Sequence, residues 1–145
     1  MKKLIALSLL LGSLTLAPVQ NSNAFTILSG SPGVGALFAT LGIRCVGHCD
    51  AASYFRAWLF VFALDGETVE IKLENIENAA DYNLTTEEFN AYNSNLDELE
   101  LAIFNVSQNL SNDSTNQDVI SGIEAQRDVI NPIAIDALLK VISNK

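Results

Sequence analysis

Both cysteines of the chain and its single histidine stand in one short stretch, Cys45-Val46-Gly47-His48-Cys49. Two thiolates and an imidazole are zinc ligands. Zinc, however, wants four ligands in a closed site or three plus water in a catalytic one, and C-x-x-x-C with an internal His is not a common ligand spacing. It is neither the C-x-x-C of thiol oxidoreductases nor the C-x-x-C-H of haem attachment. In an oxidising compartment the expected outcome is a Cys45–Cys49 disulfide, with Gly47 supplying the backbone freedom to close the turn. The closed loop is small, so its stabilisation would be modest, about 2 kcal/mol. Nucleophilic catalysis of the Ser-His-Asp or Cys-His kind would have to run through His48. Adjacent residues rarely face each other, and a loop histidine without chemistry is the plainer expectation.

The other groups that could do chemistry are acidic. Glu87, Glu88, Asp97, Glu98 and Glu100 are candidate general acids and bases. Their placement along one helical stretch reads instead as a solvated face. Asn112, Ser114, Asn116 and Asp118 put oxygen side chains at alternate positions, as in the first half of a calcium loop. The loop glycine and the closing glutamate are missing, since the twelfth position falls on Ile123. No metal and no cofactor is therefore expected. An enzyme with an unrecognised site stays an alternative to a non-enzymatic role.

The elements that must position these groups follow from periodicity. Ser29 to Gly35 is rich in Gly and Ser around Pro32 and reads as a loop. Ala36 to Ile43 is expected to be a short helix, and Arg44 to Asp50 a tight loop. Residues 51–64 admit two readings. As a helix, Asp50 is the N-cap and Phe55, Trp58, Leu59 and Phe62 share one face, with Gly66 beyond the end. As a hairpin, Asp65-Gly66 is the turn, and Trp58, Phe60 and Phe62 oppose Leu73, Ile71 and Val69. In both, this segment is core, because five of the 11 aromatics lie between Tyr54 and Phe62. Residues 74–83 are expected to hold a short helix and a turn.

Thr85 with Glu88 three positions on is a capping box that opens a helix. From it Phe89, Tyr92, Leu96, Leu99, Ile103, Val106 and Leu110 recur at alternating spacings of 3 and 4, a heptad seam widened by Leu101 and Phe104. The seam needs a partner, either another helix of this chain or a protein partner or second copy. Ser111 to Asn116 is a polar loop. Val119, Ile120, Ile123 and Arg127 repeat at helical spacing up to Asn131-Pro132, where Pro132 suits the first position of a last helix with Ile135, Leu138, Leu139 and Ile142 on its apolar face. The expected fold is mainly α, a small helical domain with an antiparallel helix pair in its C-terminal half. The alternative is α+β with a β-hairpin at 57–73.

Composition bounds where such a domain works. Lys2 and Lys3 precede an apolar stretch from Leu4 to Ala17, Pro18 ends it, and Ser22-Asn23-Ala24 is a small-x-small cleavage site. Residues 1–24 therefore read as a secretory signal peptide, and the mature chain is expected to begin at Phe25. The apolar stretch is shorter than the roughly 20 residues that span a bilayer. Cleavage would leave 121 of the 145 residues, enough for one domain. It would also lower Lys+Arg from 8 to 6 against 17 Asp+Glu, a net charge of −11 that disfavours nucleic acid. Sixteen of those acidic residues lie from Asp65 onward, so 25–64 is an apolar segment and 65–145 an acidic helical region of the same domain. Thr26 to Ile43 is 18 uncharged residues, which allows a membrane association of 26–64 as the alternative to a buried core. The expected protein is an exported, non-enzymatic interaction or structural protein of the bacterial cell envelope, periplasmic or secreted. A membrane-associated accessory protein is the runner-up.

Overall fold

The alternation of apolar and polar residues from Thr68 to Leu73 belongs to a strand, and the segment before it pairs with it. In the computed structural model, which describes residues 25–28, 30–46, 59–65 and 68–144, β3 (Phe60–Asp65) and β4 (Thr68–Leu73) form an antiparallel hairpin. Val69, Ile71 and Leu73 are buried on one face of β4, while Glu70 and Lys72 take the other. This is the period of two that a one-sided sheet requires. The helical reading of 51–64 is thus corrected over 60–64; its first turns fall outside the described residues. The register also differs from the expected one by a single two-residue step. Phe60 opposes Leu73, Phe62 opposes Ile71 and Leu64 opposes Val69, because Asp65 pairs with Thr68 and so belongs to the ladder. A two-residue shift preserves the face of every side chain, which is why the pattern alone could not fix it.

Two further strands complete the sheet among the described residues, in the order β1-β4-β3-β2. β1 (Phe25–Leu28) pairs antiparallel with β4, and β2 (Arg44–Val46) lies parallel to β3. The expected tight loop at Arg44 is therefore a strand over its first three residues. Between β1 and β2 runs α1 (Val34–Leu41). Its start is fixed by Gly33, whose φ of 79° places it in the left-handed region and whose missing Cβ lets it sit against Leu110. The described residues from Thr26 to Ile43 form most of β1, a turn and the eight-residue α1. Among the described residues no helix is long and apolar enough to cross a membrane.

The rest is helical: α2 (Thr86–Ser94), α3 (Leu96–Gln108), α4 (Asn116–Glu124) and α5 (Pro132–Ser143), with 3-10 turns at Ala79–Tyr82 and Ala125–Asp128. Most described residues are helical, and the sheet is the smaller part. The Thr85–Glu88 capping box is present, and Asn131 caps α5 with Pro132 in its first turn. A second capping box, Thr115 with Asp118, opens α4 inside the stretch expected to be loop. The long helix expected from Thr86 is broken at Asn95. There the Asn95 amide donates back to the Ala91 carbonyl at 2.6 Å, and the side chain competes with the helix ladder. Asn93, two residues earlier, is committed elsewhere: it accepts from the Ile76 N–H at 2.8 Å and donates to the Ile76 carbonyl at 3.0 Å, tying the chain after β4 to α2.

The heptad seam is spent inside the chain. Tyr92, Leu99, Ile103 and Val106 are buried, and Phe89, Leu96 and Leu110 are half-buried against the same core as Ile135, Leu138 and Ile142. α2 packs on α5 so that the C-terminal turn of α5 meets the N-terminal turn of α2, through Lys140 to Glu88 at 2.8 Å and Asn144 to the Tyr82 carbonyl at 2.9 Å. A second copy could use the seam only by displacing these contacts. α3 contacts both β1 and β4 and so lies over the sheet.

Candidate functional site

The acidic residues expected on a solvated face divide into two kinds. Glu87, Asp97 and Glu98 are exposed. Glu88 is held by its capping box and by Lys140, and these hydrogen bonds bring its carboxyl below the ordinary value. Glu100 departs from the expectation: it is only 5 % exposed, on the face of α3 that meets the sheet. Its Oε1 accepts the Leu73 N–H at 2.9 Å, while its Oε2 has no hydrogen-bond partner among the described residues.

The ladder explains this contact. Glu74 N–H donates to the Leu59 carbonyl at 2.8 Å, toward β3, so the neighbouring Leu73 N–H points to the β1 side of β4. The described pairing of β1 starts at Phe25, opposite Ile71. The acceptor that the Leu73 N–H takes is the Glu100 carboxylate. Beside it the Tyr92 hydroxyl is also buried without a partner among the described residues. Burial raises the Tyr92 hydroxyl far above its ordinary value, with smaller contributions from Tyr82 and from the Glu100 charge. Burial likewise pushes Glu100 up to about 7; the Leu73 N–H opposes the rise, Asp97 adds to it, Lys72 opposes it and Glu70 adds to it. Lys72 is spent on the outer face, 3.8 Å from Glu70.

The sequence signal for this burial was present. Glu100 follows Leu96 by four and precedes Ile103 by three, so it shares the seam's face as fully as Leu99 does. It was passed over because a carboxylate is almost never fully buried without a partner.

The calcium-like oxygens turn to separate tasks. Ser114 Oγ accepts the Ser111 N–H at 2.8 Å, Asn116 Oδ1 accepts the Thr40 hydroxyl at 2.9 Å, and Asp118 accepts the Thr115 N–H at 2.6 Å. A groove of about 480 Å³ beside them is lined by Asn109, Ser111, Asp113, Asp118 and Gln126. No group of three His, Cys, Asp or Glu side chains that could hold a metal ion occurs among the described residues. The cysteine pair lies outside what is described, apart from the backbone of Cys45 in β2; His48 and Cys49 are not among the described residues. Comparison with known proteins finds no family model, no curated protein and no solved structure that matches the chain.

Proposed function

We propose that the chain is an exported interaction or structural protein of the bacterial cell envelope, acting without catalysis of its own. The observation that carries this reading is the position of Phe25. Phe25, the residue expected to follow the cleavage site, and the three residues after it all pair with β4. The Phe25 ring stacks on Phe104 with centroids 5.1 Å apart, fastening this strand to α3. Pairing made from Phe25 onward is kept when the chain is cut before it. Glu88 and Asp118, held in capping boxes, and Asn116, which accepts from Thr40, support the same reading.

The test is fractionation of the expressed full-length chain with mass analysis of its N-terminus. The expected result is a species soluble in the periplasm or medium that begins at Phe25. An intact Met1, or a pellet that resists high salt, would overturn export in favour of membrane attachment. A normally folded His48→Ala chain that loses all activity in a cellular complementation assay would overturn the non-catalytic part.

A further inference from the structure

A buried carboxylate oxygen without a partner calls for a donor or a cation. Glu100 Oε2 is such an oxygen, and the described residue of β1 nearest to Leu73 in register is Phe25. β1 runs antiparallel to β4, so from Phe25 the chain's nitrogen end points in the direction that β4 takes from Ile71 to Leu73. Leu73 is the residue whose N–H holds the other oxygen of the same carboxylate. Two strand residues cover ~7 Å, and the nitrogen of Phe25 lies on the Leu73 side of that interval. The Phe25 ring is stacked on Phe104, one helical turn beyond Glu100 on α3, so both ends of the contact are fastened to the same helix.

We propose that the α-ammonium group released at Phe25 by processing is the missing partner of Glu100, forming a buried ion pair that locks the first strand onto α3 only in the cleaved chain. The inference rests on the export reading above. Hydrolysis of the Ala24–Phe25 bond by a signal-type peptidase adds one water. It leaves a carboxylate on Ala24 and, after protonation at neutral pH, an ammonium on Phe25. Before cleavage that nitrogen is a neutral amide; after it, it carries a charge and additional hydrogens to donate. No other cation among the described residues competes closely. From β4, Lys72 and Glu70 act on Glu100 at longer range, and Asp97 acts from its own helix; β1 carries no ionisable side chain, and none from α4 or α5 acts on it. The Tyr92 hydroxyl, fixed in its neutral form by burial, is left as the other polar group beside the carboxylate.

The deciding experiment is a carboxyl carbon NMR titration of Glu100 in two forms of the full chain: the exported, processed species and an unprocessed Ala24→Leu chain. The Glu100→Gln spectrum assigns the resonance. The expected midpoint is near 7 in the unprocessed chain and below about 5 in the processed one. Equal midpoints in the two forms, with the processed N-terminus verified at Phe25 by mass, would overturn the pairing and leave export standing. A processed N-terminus at any other residue would overturn the pairing and leave export standing, and an intact Met1 would overturn both. The titration is read on chains with Glu100 intact, so it does not depend on the variant folding.

Discussion

Glu88 and Glu100 stand one turn before and two turns after Tyr92 and do opposite things. Glu88 lies at the junction of α2 and α5, partly exposed, with Thr85 and Lys140 both donating to it. Glu100 lies at the junction of α3 and the sheet, buried, with one oxygen held and one not. The first carboxylate is stabilised as an anion and the second as an acid. The difference is one of partners: the α2–α5 junction gives Glu88 a cation and a backbone donor, and the junction of α3 with the sheet leaves one oxygen of Glu100 without either among the described residues.

The contrast is broken most severely by removing what both junctions share. Leu99 is fully buried between Leu96 and Ile103, beside Glu100. Leu99→Ala is expected to cost about 2–5 kcal/mol by chemical denaturation. A loss below 1 kcal/mol would mean that α3 is not seated over the sheet as described.

The two carboxyl groups also give opposite dependences on pH. Glu100 is raised in the folded chain, so its stabilising effect is complete below the ordinary value of 4.5 and is lost as pH climbs through about 7. In the unprocessed chain this amounts to about 3 kcal/mol at most. Glu88 is lowered, so its effect is present above the ordinary value and is lost as pH falls through the folded one. Denaturant midpoints of the unprocessed chain should therefore fall between pH 5 and 8. Glu100→Gln should flatten that limb without touching the acid limb that Glu88 contributes. A limb of unchanged slope in Glu100→Gln would place the titration elsewhere.

What the sequence showed of this arrangement follows a physical divide. Two helix starts were legible from short-range rules, the Thr85–Glu88 capping box and Pro132 at the first position of the last helix; the Thr115–Asp118 box, of the same span, was hidden in a run of polar residues that reads as loop. The seam from Phe89 to Leu110 was legible as a burial pattern, but the break at Asn95 was not. Heptad spacing registers faces, and a break that keeps the face leaves the pattern intact. The hairpin was one of two readings, because Trp58 to Leu64 is apolar at both helical and strand spacing. The pairing with β1 and β2, which settles the matter, joins residues far apart in sequence. Glu100 was hidden for the same reason: its partner, the Leu73 N–H, belongs to a strand end whose position depends on the whole sheet.

The smallest expected effect concerns the α2–α5 junction. Lys140→Met removes the cation from Glu88 while keeping most of the apolar stem that packs along α5. The lysine side chain is 42 % exposed and the glutamate 14 %, so water screens the pair from one side. Such pairs contribute at most about 1 kcal/mol, and the capping box still supplies the Thr85 N–H to the carboxylate. A double-mutant cycle of Lys140→Met with Glu88→Gln should give a coupling between 0 and about 1 kcal/mol, smaller still in high salt. A coupling above about 2 kcal/mol would mean that Glu88, like Glu100, depends on a desolvated partner. The two junctions would then differ only in whether that partner is already present in the uncleaved chain.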